Sequence, residues 1–416
     1  MFTDRRTGVG YALGRLCAIG TRPICLFIAN NILSSGATQG LAVAFLASAV
    51  AIMGIAASPD RRFYSRYFAR GTAPVNGITF YLYAGSLLVL TAAGAGIVCV
   101  ITAYFASSPA LVVSIIGYFV SEKLADEILR LRLFERDFAA WGRSSVIRAL
   151  LQLGGFGAVL LLIGQSTGAW PVVLVLAIGN LLVFIPQLPS RFGSSLRKLR
   201  RATAFHMLRR AVLSLWSNWT LWAIALLSAG VAYLDRFVAL VLDPAVLPLF
   251  MLIVMCFSIV QMAVDFYYVS RHRRDFLERR ISVAGAFTSR EFLLSAGVGL
   301  ATALVASVIT LRFSRGGSAF PLGYIAVIAF LQSTTAVAAV PREVLYWSHL
   351  LRWILRIELI FWVLFACAAS AGWLLGLPVM TILIFVAACT GVRLLLYIVA
   401  GGRSGDSWRA AAEQIP

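Results

Sequence analysis

Apolar residues occupy most of the chain in long runs, and polar residues are concentrated in the short segments between those runs. Many runs reach about 18 residues or more, which is enough for one helix to cross a hydrocarbon core about 30 Å thick. The pattern predicts an all-α polytopic membrane protein with about 12 transmembrane helices. The predicted spans are 12–34, 38–58, 78–106, 109–130, 144–164, 169–189, 213–242, 245–269, 291–312, 320–341, 345–375 and 377–400.

Basic residues mark one side of this topology. They are concentrated in the termini and in the even-numbered connections, whereas the odd-numbered connections and their borders hold only Arg312 and Arg315. Short loops rich in Lys and Arg stay in the cytoplasm. Both termini are therefore predicted to be cytoplasmic.

The same pattern divides the chain into two similar halves. A basic loop follows the second span at 58–71, and another follows the eighth span at 270–280. We therefore predict a parallel pseudo-repeat of two six-helix lobes, an architecture known among transporters, with the substrate path between the halves. The alternative is that any protein with 12 spans divides into two sixes without a true repeat. The predicted parts are an N-terminal lobe (1–189), a basic cytoplasmic linker (190–212), a C-terminal lobe (213–400) and a cytoplasmic tail (401–416).

Composition supports the membrane assignment and restricts the function. Hydrophobic residues make up 60% of the chain and charged residues 13%, against about 25% charged residues in soluble domains. The net charge of +19 lies in short loops beside the spans, where anionic lipids attract basic residues, so no nucleic-acid partner is expected. There is no phosphate loop, no HExxH motif and no Cys or His spacing typical of a metal site. We therefore expect no catalytic residues, no metal and no cofactor, and a transporter rather than an enzyme.

Several basic residues lie within predicted spans, where a charge at mid-helix costs about 2.5–3.5 kcal/mol on insertion scales and indicates function by default. Arg15, Arg148 and Arg352 lie near cytoplasmic boundaries, where snorkelling to the headgroups accounts for them. Arg22, Arg356 and Arg393 lie deeper, and Arg22 precedes Pro23, which interrupts the helical hydrogen bonds. Because a guanidinium suits phosphate groups, we predict that these three arginines line a cationic, substrate-binding cavity.

The acidic residues within the spans are expected to have partners. Glu122 and Asp126 share a helix face, with Lys123 offset, and pairing of this patch with Arg148 on the next helix is the favoured interpretation. Asp265 lies before a basic loop and is expected to form a local salt bridge. Arg356 and Glu358 lie on different helix faces, so each is expected to meet another helix.

One charged pair lies in the middle of an otherwise apolar sequence. Asp235 and Arg236 are adjacent in the segment YLDRFVALVLDP (233–244), which continues through the turn Asp243-Pro244-Ala245 to Phe250. Residues 230–276 resemble the seventh and eighth helices of bacterial polysaccharide-exporter flippases, which belong to the multidrug/oligosaccharidyl-lipid/polysaccharide superfamily. Pro248 departs from that pattern, since the family often has a small residue there.

Two further stretches are similar to the same family. Residues 32–68 resemble its first outer turn and second helix, and residues 132–156 resemble its cytoplasmic link into the fifth helix. The resemblance implies two six-helix lobes around a cationic cavity. It also implies alternating-access flipping of a polyprenyl-pyrophosphate-linked oligosaccharide in the bacterial inner membrane. Asp235 and Arg236 would then form a gating charge pair, and polysaccharide polymerase or ligase proteins would be partners beside the membrane lipids.

Three other interpretations remain open. A cation-coupled multidrug or small-molecule exporter of the same superfamily would use an acidic site in a mostly apolar cavity. A membrane-embedded polymerase or glycosyltransferase would need a catalytic constellation and a sizeable outer loop, and neither is visible. A non-transporting scaffold for envelope assembly would leave the central charges without a purpose.

Overall fold

The computed structural model describes residues 5–55, 77–105, 108–134, 137–163, 168–187, 209, 212–213, 216, 219–269, 272, 281–347 and 350–412. The predicted basic loop at 58–71 lies outside these residues. Only 209 and 212 of the predicted linker, and only 272 of the second basic loop, are among them.

Every regular element in the described residues is helical. Long helices follow the apolar runs of the sequence, and we number them α1 to α12. Their bounds are α1 Arg5–Ile32, α2 Ser35–Ile55, α3 Gly77–Phe105, α4 Pro109–Phe134, α5 Phe138–Ile163, α6 Ala169–Phe184, α7 Trp219–Leu242, α8 Leu247–Ala263, α9 Arg290–Phe313, α10 Leu322–Trp347, α11 Leu351–Leu374 and α12 Val379–Ala412. A single wide turn, Val264–Val269, extends α8, and a short helix, Val283–Thr288, precedes α9.

Nine helices of the described part are long and apolar enough to cross a membrane. They are α2, α3, α5, α6, α7, α9, α10, α11 and α12. The protein is therefore an all-α, multi-pass membrane protein. The other three helices are α1, α4 and α8. Helix α8 is apolar but is short, with 17 residues. Helices α1 and α4 contain several charged residues, which lower their hydropathy.

The chain folds as two compact units, Met1–Leu226 and Leu227–Pro416. The division falls inside α7, beyond the predicted start of the C-terminal lobe at residue 213. In the first unit the most extensive helix contacts join α1 to α5 and α4 to α6, and in the second they join α8 to α9 and α10 to α12.

Close helix packing in the first unit depends on small residues. A Cβ atom at Gly14 of α1 would lie 2.6 Å from the Cα atom of Gly142 of α5, which is closer than any two such atoms approach. Glycine at this position allows the two backbones to touch, as small residues do at helix interfaces in membranes. This close approach brings α1 and α5 together beside α4, where the main charged cluster lies.

Candidate functional site: buried carboxylates and their arginines

A buried polar cluster of the first unit is centred on Glu122 of α4. Its Oε1 atom accepts a hydrogen bond from Nη2 of Arg22 on α1 at 2.8 Å and another from Nη2 of Arg148 on α5 at 2.5 Å. Its Oε2 atom accepts a hydrogen bond from the side-chain amide of Asn180 on α6 at 3.1 Å. We call Arg22, Glu122, Arg148 and Asn180 the Glu122 cluster. It joins four helices through one carboxylate.

The Glu122 cluster has more positive than negative charge. Two arginines, which stay protonated in proteins, share a single carboxylate, so the four side chains carry a net charge of +1. The two guanidiniums differ in exposure, because the Arg22 side chain is 26% exposed and the Arg148 side chain is 10% exposed. Nε of Arg148 is buried and has no hydrogen-bond partner among the described residues. Arg22 is therefore the more accessible of the two arginines.

Aromatic side chains surround the accessible arginine. Nε of Arg22 donates to the hydroxyl of Tyr118 at 3.1 Å. Its guanidinium carbon lies 6.0 Å from the ring centroids of both Phe45 and Tyr118, at the outer limit for a cation–π interaction. Behind Glu122, the amide of Gln152 donates to Asn180 Oδ1 at 3.1 Å. Side-chain amides therefore lie beside Glu122, and aromatic rings lie beside Arg22.

Two further ion pairs of α4 form within that helix. Lys123 forms a buried ion pair with Glu127, four residues further on. Arg130 binds Asp126 at 2.8 Å, again at a spacing of four residues. Asp126 therefore pairs with its own helix, although the sequence grouped it with Glu122 as the partner of Arg148. Near the end of the same helix, Nη2 of Arg132 donates to Oε1 of Gln187 at 2.6 Å.

A second buried carboxylate, Glu358 of α11, organises the second unit. Its Oε1 atom accepts from Ser228 Oγ at 2.7 Å and from the Tyr397 hydroxyl at 2.7 Å. Arg393 of α12 binds both carboxylate oxygens, Nη2 to Oε1 at 2.6 Å and Nε to Oε2 at 3.1 Å. We call Ser228, Glu358, Arg393 and Tyr397 the Glu358 cluster. One arginine faces one carboxylate here, so this cluster is neutral.

Asp235 and Arg236 of α7 do not form a close ion pair. The Oδ1 atom of Asp235 accepts the backbone N–H of Arg236 at 2.9 Å, but Nη1 of Arg236 is 3.8 Å away. That Nη1 donates instead to the carbonyl of Ala232 at 2.5 Å, and the guanidinium lies 4.5 Å from the Tyr233 ring centroid. Gln332 lies beside the carboxylate, yet the buried Oδ2 atom of Asp235 has no hydrogen-bond partner among the described residues.

The three arginines that the sequence assigned to one cavity belong to different units, Arg22 to the first and Arg356 and Arg393 to the second. Arg22 is partly exposed in the first unit. Arg393 is buried with its guanidinium bound to Glu358, so it is held by the protein in this conformation. Arg356 is exposed on α11, with its guanidinium 5.4 Å from the Trp353 ring centroid. Asp265 lies in the wide turn after α8 and is half-buried.

One prediction about pairing is confirmed, a second is confirmed only in part, and one about snorkelling is wrong. Arg148 pairs with Glu122. Glu358 meets another helix through Arg393, whereas Arg356 contacts Trp353 of its own helix. Arg148 is buried at 8% exposure, so it does not reach the headgroups as its position near a span boundary predicted. The physical reason is that an available carboxylate at 2.5 Å removes the need for a buried guanidinium to find water.

Sequence reasoning missed the neutral members of these clusters, Asn180, Ser228 and Tyr397, and the neutral neighbours Tyr118 and Gln152. Gln152 and Asn180 carried a usable signal, because an amide within an apolar helix needs an internal partner when no water is present. Ser228 and Tyr397 carried none, since serine and tyrosine are common in such helices. Among the described residues, no group of three or more His, Cys, Asp or Glu side chains is placed to hold a metal ion.

Comparison with known proteins identifies no family for this chain. No protein-family model matches the chain, and no curated protein matches it in sequence at a significant level.

Proposed function

We propose that the protein is a transporter that moves a polyprenyl-pyrophosphate-linked oligosaccharide or polysaccharide precursor across the bacterial inner membrane by alternating access. In this proposal all of α1 to α12 span the membrane, both termini are cytoplasmic, and two six-helix lobes surround the substrate path. The observation that carries the proposal is the net positive charge of the Glu122 cluster together with the exposure of Arg22.

An anionic group would be attracted to this cluster. Two guanidiniums share the one carboxylate of these four side chains, and opposite charges attract strongly in a low-dielectric environment. A phosphate oxygen approaching the exposed side of Arg22 would supply a negative charge, and a planar guanidinium binds phosphate with charge-assisted hydrogen bonds. The favoured substrate is therefore one with a phosphate or pyrophosphate group.

The cluster also provides a way to release and recapture Arg22. When Arg22 turns from Glu122 to a phosphate, Glu122 keeps its hydrogen bonds from Arg148 and Asn180. Glu122 thus stays satisfied with or without Arg22, and the carboxylate competes with the substrate for one guanidinium. Competition of this kind favours transport, because the substrate must leave the site as well as enter it.

Complementation of a deletion strain tests this function. The strain would carry the wild-type protein, Arg22→Ala, Arg22→Lys or the control Arg143→Ala, and membranes would be assayed for lipid-linked oligosaccharide and cells for surface glycan. Arg143 is an exposed arginine of α5 outside the clusters. We expect Arg22→Ala to lower export about 10- to 100-fold, the effect of losing one hydrogen bond to a charged group, and Arg22→Lys to restore part of it.

The outcomes separate the competing functions. Accumulated intermediate with Arg22→Ala but not with Arg143→Ala supports the proposal, provided that both variants are present in the membrane at wild-type levels. Normal glycan export in the deletion strain itself refutes it, and a small-molecule exporter or an assembly scaffold then becomes the better explanation.

One observation favours a second candidate, a cation-coupled small-molecule exporter. Asp235 is 3% exposed, and its Oδ2 atom has no hydrogen-bond partner among the described residues. A buried acid of this kind is suited to exchange a proton or bind a cation. If Asp235→Asn abolishes uptake of a fluorescent drug driven by an ion gradient in proteoliposomes, and glycan export does not depend on the protein, this second function is correct. Wild-type glycan export by Asp235→Asn would count against a gating role for this residue.

A further inference from the structure

One face of α11 combines exposed arginines with an exposed apolar surface. Arg352 and Arg356 are exposed at a spacing of four residues, and exposed Trp353 lies between them. Further along the helix, Ile360 and Val363 are also exposed. At about 100° per residue these five side chains lie within about one third of the helix circumference. We call them the α11 basic face.

The acidic residue of this helix lies on the opposite side. Glu358 is 0% exposed and binds Arg393, so it does not neutralise the two exposed arginines. Neither Arg352 nor Arg356 has a carboxylate within ion-pair distance in the described part of the chain. The α11 basic face therefore carries two positive charges that the neighbouring described residues do not balance.

The position of these charges along α11 matches a membrane boundary. The helix begins at Leu351, so Arg352 lies at its end and Arg356 about 6 Å further along the axis. Tryptophan is enriched at the headgroup level of membranes, and the Trp353 ring lies beside the Arg356 guanidinium. Beyond Arg356 the exposed face continues with apolar Ile360 and Val363, which can contact acyl chains.

We propose that the α11 basic face is a binding site for an anionic glycerophospholipid of the adjacent leaflet. The two guanidiniums bind the lipid phosphate, Trp353 packs beside the glycerol region, and the acyl chains follow Ile360 and Val363. A bilayer lipid fits better than a lipid-linked glycan, because beyond Arg356 this face offers apolar side chains and a glycan needs polar partners. The inference does not depend on the transported substrate.

Lipid binding to the purified protein in detergent tests this site. Native mass spectrometry would measure the dissociation constants of phosphatidylglycerol and phosphatidylcholine for the wild type and for Arg352→Ala/Arg356→Ala. A basic residue near an anionic surface contributes about fivefold in affinity, so the double variant should bind phosphatidylglycerol about 30-fold more weakly. Phosphatidylcholine should bind weakly to both.

A matched double variant controls for total charge. Arg143→Ala/Arg290→Ala removes two exposed arginines from near the starts of α5 and α9, and it should keep phosphatidylglycerol affinity within about twofold of the wild type. All variants must elute as a single species with the wild-type unfolding temperature, which exposed substitutions are expected to preserve.

Two results would overturn the proposal. Equal phosphatidylglycerol affinity in the wild type and in the α11 variant would show that this face is not the site. Binding of undecaprenyl diphosphate at the α11 basic face with at least tenfold preference over phosphatidylglycerol would assign the face to a polyprenyl substrate instead. Because transport is not measured, failure here leaves the complementation result with Arg22→Ala untouched.

Discussion

Removing the charge of Glu358 while Arg393 remains should destabilise the second unit strongly. Glu358 is 0% exposed, and its two oxygens accept four hydrogen bonds from Ser228, Arg393 and Tyr397. Glu358→Gln keeps an acceptor for the two hydroxyl groups but leaves a buried guanidinium without its anion. Breaking a buried ion pair in this way costs about 3–5 kcal/mol.

Removing both charges should lower the free energy of unfolding much less than the two single changes do together. Arg393→Met alone leaves Glu358 buried and uncompensated, so we expect a loss of about 3–5 kcal/mol from this change as well. In Glu358→Gln/Arg393→Met no buried charge remains, and the introduced glutamine side chain would still accept from a hydroxyl. We expect the double variant to lie within about 2 kcal/mol of the wild type, which gives a coupling energy of several kcal/mol.

Unfolding in mixed micelles of increasing SDS content measures these free energies. Tryptophan fluorescence is a suitable signal, because the Trp362 indole donates to the carbonyl of Leu227 at 3.2 Å within the same unit. Arg312→Met, at an exposed position near the end of α9, is the control and should change the free energy of unfolding by less than about 0.5 kcal/mol. A loss below about 1 kcal/mol for Glu358→Gln, or a double variant equal to the sum of the singles, would refute the reasoning.

The same unfolding assay checks two predictions for the first unit. Gly14→Val should lower the free energy of unfolding by about 1–3 kcal/mol because its Cβ would meet the Gly142 backbone. The control Gly157→Val faces open space and should have little effect on it. Equal effects of the two variants would contradict close packing at Gly14. Glu122→Gln should lower the free energy of unfolding by about 3–5 kcal/mol because two guanidiniums lose their anion. Arg22→Ala should lower it by about 1 kcal/mol or less because Arg148 still binds Glu122. A larger loss for Arg22→Ala than for Glu122→Gln would show that Arg22 is the main partner of Glu122.

The helices could be predicted because the length of an apolar run limits where a membrane helix can begin and end. The prediction at 291–312 differs by one residue at each end from α9, Arg290–Phe313. The prediction at 144–164 began too late, because α5 continues back through Arg143 to Phe138. In this additional segment Ala140 and Trp141 are buried. Packing extended this helix beyond the point at which its apolar run ends.

The charged clusters were predicted less completely because they depend on how each helix is rotated. Glu122 was paired correctly with Arg148 because their helices follow one another in the sequence, although Asp126 was wrongly grouped with Glu122 in this pairing. Arg393 was assigned to a substrate cavity, and its actual partner Glu358 was not recognised. Comparing how deep each residue lies in the membrane would have identified this pair. Glu358 lies 16 residues before the end of α11, and Arg393 lies 14 residues after the start of α12. Antiparallel neighbours place these positions at nearly equal depth, about 3 Å apart along the axis.

The intramembrane arginines differ in what balances their charge, and this difference predicts which measurement each of them affects. Arg393 has one carboxylate to itself and is buried, so its loss should appear in stability. Arg22 shares its carboxylate with Arg148 and is partly exposed, so its loss should appear in export with little change in stability. Arg352 and Arg356 are exposed without a carboxylate partner in the described part of the chain, so their loss should appear in lipid affinity. If all these variants instead changed the same measurement in proportion, charge balance would not be what distinguishes them.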